Sequence, residues 1–93
     1  MLIKKAIQHK NHISFEYHGC VRQVEPYLYG FLNKKMQLHA YQVAGESEAG
    51  GIPEWRNFEI EKIQKLRILE DKFYPRATYH PKNAGYTKIE QMI

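Results

Sequence analysis

The chain has 93 residues, of which 43% are hydrophobic and 26% are charged, as in one small folded domain and unlike a disordered chain. A single cysteine excludes an intramolecular disulfide and a cysteine zinc cluster. The net charge is +4, with basic ends (residues 1–45 and 72–93) and an acidic middle (residues 46–71). This distribution can attract an anionic partner, but it is not the dense basic stripe of a dedicated nucleic-acid-binding surface.

Several further classes of protein are excluded by motifs that the sequence lacks. No apolar stretch reaches the roughly 18 residues of a membrane span, and the first ten residues lack the apolar core of a signal peptide. Gly50 and Gly51 are not followed by the Lys-Ser/Thr of a phosphate-binding loop, and the five histidines show no metal-ligand spacing. We therefore expect a cytoplasmic, non-enzymatic protein that has no cofactor and makes no contact with a membrane.

The first third of the chain predicts a short helix followed by strands. Apolar residues at helical spacing predict a helix over residues 2–9. Alternation of apolar and polar residues predicts a strand over residues 13–18, which ends in a turn at Gly19. A second strand is predicted over residues 21–27, with Pro26 at its edge or end because proline cannot donate to a ladder.

The rest of the chain predicts more strands, joined by turns and one longer loop. In chain order we predict a turn at residues 33–35, a strand over 36–43, a loop over 44–53, extended chain over 55–58, a turn at 59–62 and a strand over 63–69. The Ile and Leu residues of the last segment also fit a helical stripe, so a helix remains the alternative there.

This pattern predicts a mainly β fold. Short strands joined by tight turns suit a small closed β-barrel, since closure removes exposed strand edges. We expect the barrel domain to occupy residues 1–75. The Pro and Gly residues of residues 76–93 predict a weakly packed C-terminal tail, with one short helical turn over residues 87–92. The residues expected in the core are Phe15, Leu38, Ala40, Phe58 and Ile63.

Three segments carry a family signature when they are taken together. Residues 22–26 read Arg-Gln-Val-Glu-Pro, residues 36–41 read Met-Gln-Leu-His-Ala-Tyr, and residues 56–63 read Arg-Asn-Phe-Glu-Ile-Glu-Lys-Ile. They resemble, in order, the Arg-x-Val/Ile-x-Pro, Trp-Tyr-Leu-x-Ala-Tyr and Arg-x-Phe-x-x-x-Arg-Ile phrases of the WYL domain family. The resemblance covers roughly residues 2–73. The residues that match are Arg22, Val24, Pro26, Leu38, Ala40, Tyr41, Arg56, Phe58 and Ile63.

The resemblance implies a small SH3/Sm-like β-barrel with a short N-terminal helix, of the kind that senses ligands in bacterial transcription regulators. The chain departs from the pattern at Met36 and Gln37, which replace Trp and Tyr, and the second change removes a ring that could stack on a base. Family members usually place this domain behind a DNA-binding domain. Because this chain starts at the sensing domain, we expect a stand-alone, divergent member.

The resemblance also implies a site for an anionic ligand. Arg56 and Lys62 flank the apolar Phe58, and an arginine can hold a phosphate through two parallel hydrogen bonds. A histidine in the same region can titrate near neutral pH. The candidate ligand-binding residues are Arg22, His39, Tyr41, Arg56 and Lys62.

An alternative for the two flanking cations is that Arg56 and Lys62 pair with Glu54, Glu59 or Glu61 on a solvated face. Pairs of that kind contribute little stability, so they do not by themselves explain the arginine.

Two functions from different classes follow. The first is a non-enzymatic ligand-sensing or regulatory module, whose candidate partners are a nucleotide or single-stranded nucleic acid. The second is a structural or protein-interaction barrel, which forms a homodimer or larger homo-oligomer or serves a separate regulator, using exposed aromatic residues at Tyr27, Tyr29 and Phe31.

Overall fold

Six strands and one N-terminal helix make up most of the protein. The computed structural model describes residues 1–45 and 54–93. The mainly β fold with a short N-terminal helix is thus confirmed. The elements are α1 (Leu2–His9), β1 (Asn11–Tyr17), β2 (Cys20–Leu32), β3 (Lys35–Gly45), β4 (Glu54–Glu59), a 3₁₀ turn (Ile60–Lys62), β5 (Gln64–Lys72), a second 3₁₀ turn (Pro81–Ala84) and β6 (Thr87–Met92).

All strand pairs in the sheet are antiparallel, and β2 is its central strand. The strand order is β4-β3-β2-β1-β5, and β6 also pairs with β2. β2 is 13 residues long, so its first half pairs with β1 while its second half pairs with β6 along the same edge. Among the described residues β4 and β5 make no ladder with each other, and the sheet is not closed into the barrel that the sequence predicted. Closure depends on pairing between strands distant in the chain, which alternation within one strand does not encode.

The two tight hairpins follow from residues that accept a left-handed backbone. His18 and Gly19 connect β1 to β2, and Asn33 and Lys34 connect β2 to β3, all four with positive φ. Two consecutive positive φ angles match the right-handed twist of the flanking strands. Pro26 lies inside β2 and not at its end. The register of β2 against β3 shifts just after it, which marks a β-bulge there. A β-bulge is one of the few positions where a sheet tolerates proline.

The core lies between α1 and the sheet. α1 contributes Ile3, Ala6 and Ile7, all buried, and leaves Lys5 exposed. The predicted burial of four residues is confirmed, with Phe15, Leu38, Ala40 and Phe58 at most 1% exposed. The fifth, Ile63, is only partly buried and packs against the edge of this core.

The C-terminal tail is attached to the sheet. The structure places Thr87–Met92 in a strand, which corrects the helical turn predicted there. The backbone N–H of Ile93 donates to the carbonyl of Tyr27 at 3.0 Å, and the Ile93 side chain packs against the core. A six-residue apolar pattern is too short to choose helix over strand, and the free edge of β2 decides in favour of the strand.

Two further predictions concern the domain boundary and the long loop. The division into a domain of residues 1–75 and a tail of residues 76–93 stays a prediction, although several tail residues contact the sheet. Residues 46–53, most of the predicted loop, lie outside the described residues.

No helix in the described part of the chain is long and apolar enough to cross a membrane.

Phe58 is expected to be a main stabilising residue of this core. Its ring makes edge-to-face contacts with the rings of Phe15 and Tyr17, both at 5.0 Å between centroids. Phe58→Ala should therefore lower the free energy of unfolding by about 3–5 kcal/mol, measured by urea denaturation. Val21→Ala is the control: that side chain is 56% exposed, and its loss should cost no more than about 1 kcal/mol. Equal midpoints for the two variants would contradict this packing.

Candidate ligand-binding site

The five predicted ligand-binding residues lie in three separate places. Arg22 is buried on the core side of β2, Arg56 lies on β4 and Lys62 ends the 3₁₀ turn after it. His39 and Tyr41 lie together on β3, on the opposite face of the sheet from the buried Leu38 and Ala40.

Arg22 is held inside the fold. The residue is 4% exposed, and its guanidinium donates to the Tyr17 carbonyl at 3.1 Å and to Gln42 Oε1 at 3.4 Å. It also lies over the rings of Tyr17 and Phe58, at 5.5 and 5.8 Å from their centroids. These contacts offset part of the cost of burying the cation, whose Nε has no hydrogen-bond partner among the described residues, and they direct the guanidinium away from the surface.

Arg56 and Lys62 contact neighbouring carboxylates. Arg56 pairs with Glu54 at 2.6 Å, and Lys62 pairs with Glu59 at 3.3 Å. Glu59 also accepts from Lys35, which lowers the pKa of its carboxyl group. These are the pairs that the alternative interpretation expected, so the cations do not converge on Phe58.

His39 and Tyr41 belong to an aromatic cluster that covers one face of the sheet. His39 stacks on Trp55 of β4, with ring centroids 4.9 Å apart and planes 8° from parallel. Tyr41 meets the edge of Trp55 at 5.2 Å. Tyr79, from the tail, packs on Tyr27 and on Trp55, at 4.8 and 5.8 Å. We refer to Tyr27, His39, Tyr41, Trp55 and Tyr79 as the aromatic cluster.

An ion pair between a buried carboxylate and a partly exposed arginine fastens the tail to this cluster. Glu25 is 4% exposed on β2, and both of its carboxylate oxygens accept from the Arg76 guanidinium, at 2.9 and 3.0 Å. The Tyr27 hydroxyl donates to Glu25 at 2.9 Å and accepts the Arg76 backbone N–H at 3.0 Å. Burial raises the pKa of Tyr27, so the hydroxyl keeps its proton. Arg76 also lies 4.0 Å from the ring of Tyr41. The sequence interpretation missed this pair, because nothing local sets Arg76 apart from the other cations of the basic C-terminal segment.

A small hollow opens where the cluster meets the tail. Its volume is about 200 Å³, and it is lined by His39, Trp55, Thr78, His80, Asn83 and Ala84. A second hollow of about 320 Å³ shares His80 and Asn83 with it and adds Pro81 and Lys82. Within residues 1–45 and 54–93, Lys82 makes no ion pair. We refer to the two together as the aromatic hollow.

Hydrogen bonds fix the walls of the aromatic hollow. Trp55 Nε1 donates to Thr78 Oγ1 at 3.0 Å. Asn57 Oδ1 lies 2.8 Å from His39 Nδ1 and accepts the Tyr86 hydroxyl at 2.7 Å. Burial lowers the pKa of His39, so the ring is mostly neutral at pH 7. With Nδ1–H donating to Asn57, Nε2 is left as an acceptor.

Comparison with known proteins bears on this fold. No family model matches the chain, and no curated protein matches it. Among solved structures, proteasome accessory factor B/C (PafBC) of Arthrobacter aurescens superposes with a TM-score of 0.69 at 20% sequence identity. The chain shares the fold of a segment of PafBC. The match covers 88% of this chain but 13% of the PafBC chain. At this identity the match shows a shared fold, and membership of the WYL family stays a prediction.

The Glu25–Arg76 pair should contribute measurably to stability. Arg76→Gln removes a charged donor from a buried carboxylate, and the free energy of unfolding should fall by about 1.5–3 kcal/mol in chemical denaturation. Glu25→Gln combined with Arg76→Gln should cost less than the sum of the two single changes, because the pair is broken once. Lys62→Gln breaks an exposed pair and serves as the control, with a cost below about 1 kcal/mol. Additive single and double variants would contradict the pairing.

His39 should make stability depend on pH. A histidine whose pKa is lower in the folded than in the unfolded protein binds fewer protons when folded, so stability falls as the pH drops below about 6.5. Between pH 7 and 5 the wild type should therefore lose more unfolding free energy than His39→Gln does. His9→Gln, which changes an exposed histidine, should follow the wild-type curve. If the His39→Gln and wild-type curves run parallel, His39 does not titrate as described.

Proposed function

We propose that the chain is a non-enzymatic ligand-sensing module with a regulatory role, and that it binds an anionic, nucleotide-like ligand in the aromatic hollow. The fold of a PafBC segment fits a regulatory role. The observation that carries the ligand proposal is the juxtaposition of the stacked His39–Trp55 pair with Lys82 across two adjoining hollows.

The chemistry of the aromatic hollow suits a flat ring that carries an anionic group. Trp55 and His39 offer a stacking surface, and stacking on an aromatic side chain contributes about 1–3 kcal/mol per base. His39 Nε2, His80 and Asn83 provide hydrogen-bonding groups at its walls. Lys82 provides the cation for a phosphate. The two hollows together reach the size of small-molecule sites, roughly 300–1,000 Å³.

This proposal keeps the ligand class that the sequence suggested and changes the residues that meet it. His39 lines the aromatic hollow, and Tyr41 supports its floor through Trp55. Arg22, Arg56 and Lys62 contact protein groups elsewhere, so we assign them no ligand contact. Single-stranded nucleic acid carries the bases and phosphates of a nucleotide along a longer chain. The carboxylate of Glu54, beside the aromatic cluster, disfavours such a long polyanion.

Trp55 gives a direct signal for this site, because it is the one tryptophan in the sequence. A purine nucleoside monophosphate should quench its fluorescence and bind more tightly than the uncharged nucleoside. Lys82→Gln should weaken the monophosphate by roughly two- to fivefold and leave the nucleoside unchanged, since an exposed cation contributes little more than that. Added salt should reduce the difference between the two ligands.

Two control variants separate this site from the others. Lys34→Gln removes an exposed cation at the β2–β3 hairpin, and Arg56→Gln changes the residue that the sequence favoured. Both should bind the monophosphate as the wild type does. Quenching by neither ligand, or equal affinity of Lys82→Gln and the wild type, would remove the aromatic hollow as a nucleotide site.

A further inference from the structure

A separate hollow opens at the end of the β2–β3 hairpin, on the face of the sheet that carries the core. Its volume is about 510 Å³, which lies within the range of small-molecule sites, roughly 300–1,000 Å³. The lining is mostly apolar and comes from β2, β3 and the first 3₁₀ turn, through Tyr29, Phe31, Met36 and Ile60. We refer to it as the hairpin hollow.

The register of the hairpin places these apolar side chains on the core face. Tyr29 pairs with Leu38 and Phe31 pairs with Met36, in a stretch where β2 and β3 keep a regular register. Leu38 is fully buried, and residues two apart on a strand share a face, so the four side chains lie together. Tyr29 and Ile60 already pack against the core, whereas Phe31 and Met36 stay partly exposed. The hairpin hollow is thus an uncovered continuation of the core.

The helix that covers the rest of this face does not close the hairpin hollow. α1 packs on β1, β2, β5 and β6, and it makes no comparable contact with β3. A molecule that filled the hollow would therefore bury apolar surface that the described part of the chain leaves open.

The charges around the hairpin hollow leave a positive excess. Lys35 pairs with Glu59 and Glu61, at 3.2 and 3.0 Å. Lys62 also pairs with Glu59, at 3.3 Å, so these two lysines balance the two carboxylates. Lys34, which lines the hollow, makes no ion pair and no side-chain hydrogen bond with any residue in 1–45 and 54–93. Its charge is available to an anionic ligand.

Two further polar groups beside the apolar lining have no described partner of their own. The Tyr29 hydroxyl makes no hydrogen bond within the described part of the chain. Lys88 Nζ lies 5.8 Å from the centroid of the Phe31 ring and makes no ion pair with a described residue. A hydroxyl can donate to a carboxylate, and a lysine supplies a point charge to it. The hairpin hollow therefore combines an apolar floor with groups that favour an anion.

We propose that the hairpin hollow is a second binding site, which takes a small amphiphilic carboxylate: an apolar chain that ends in one carboxylate group. The chain covers Phe31, Met36 and Ile60, and the flexible Met36 side chain adapts to its shape. The carboxylate accepts from the Tyr29 hydroxyl and lies near Lys34. A few polar groups at the rim of an apolar hollow are the usual composition of a small-molecule site.

This site is independent of the nucleotide proposal, because the two hollows lie on opposite faces of the sheet. The hairpin hollow shares its face with Leu38, and the aromatic hollow shares its face with His39, the next residue on β3. Loss of one site therefore leaves the other intact, and Trp55 fluorescence reports the aromatic hollow alone.

Nuclear magnetic resonance titration of the full chain with octanoate and with octan-1-ol tests this site. Both probes should shift the amide signals of residues 29–36 and of Ile60, and octanoate should bind more tightly. Lys34→Gln should weaken octanoate by roughly two- to fivefold and leave octan-1-ol unchanged. Tyr29→Phe, which keeps the ring, should weaken octanoate by about three- to tenfold.

A variant that fills the hollow tests the apolar part of the proposal. Met36→Trp should weaken both probes about tenfold or more, since losing the burial of about two methylene groups already has that effect. Tryptophan is a good strand residue, so the fold should be kept, and the dispersion of the amide spectrum checks this. The control is Lys5→Gln, which makes the same charge change as Lys34→Gln at an exposed position on α1 and should bind both probes as the wild type does.

Three results would overturn the inference. The first is an absence of shifts at the hairpin with either probe. The second is equal binding of octanoate by Lys34→Gln, Tyr29→Phe and the wild type, or unchanged binding of both probes by a folded Met36→Trp. The third is a shift of the same amides when the free protein is diluted, which would assign the hollow to a second copy of the chain.

Discussion

Glu25 is a carboxylate held away from water on the longest strand of the sheet, and a charge in that position must be paired. Its partner, Arg76, is 51 residues away in the sequence and reaches it from the tail. The Arg76 guanidinium donates to both oxygens of the carboxylate, and the Tyr27 hydroxyl donates to one of them. Removing Arg76 would leave the buried Glu25 carboxylate without its cation, which costs about 1.5–3 kcal/mol. The position of the tail is thus determined by electrostatics as much as by apolar packing.

The aromatic face of the sheet exists as a site because the tail is held there. Without residues 76–86, Trp55 and His39 would form a flat exposed patch with no walls. With the tail in place, Thr78 holds the indole, Tyr86 reaches Asn57 behind the histidine, and the burial that results keeps His39 neutral. The same sheet therefore buries Phe58 and Leu38 on one face and presents a partly covered aromatic surface on the other. β6 completes this arrangement by adding a strand to the distal half of β2.

Local features of the fold could be predicted from the sequence, and long-range ones could not. The spacing of Ile3, Ala6 and Ile7 identifies α1, and the alternation around Phe15 and Leu38 identifies their strands and buried faces. The turn at Asn33 and Lys34 is equally local. The strand at residues 87–92 and the open sheet depend on which edges are free, and no single segment carries that information. The strand predicted over residues 21–27 extends to Leu32 in the structure, because the bulge that accommodates Pro26 arises from the pairing of β2 with β3.

The candidate site divides in the same way. His39 was identified from its place on the polar side of a strand, but Trp55, Asn83 and Lys82 join it through tail contacts that the sequence did not indicate. The family pattern predicts Arg22 as a ligand contact, but in the fold its guanidinium donates to the Tyr17 carbonyl and to the Gln42 side chain. The resemblance to a known family suggested the class of fold, and the tail supplies the features in which this chain goes beyond that resemblance.

Amide hydrogen exchange tests the central claim most directly, which is that the tail is a fixed part of the folded domain. The Arg76 amide bonds to the Tyr27 hydroxyl and the Ile93 amide bonds to the Tyr27 carbonyl. Both should be protected to a degree comparable with the amides of β2, and Arg76→Gln should reduce protection at Ile93 less than at residue 76. Exchange of both amides at the rate of an unfolded chain, with β2 still protected, would show that the tail is not docked and would contradict this account.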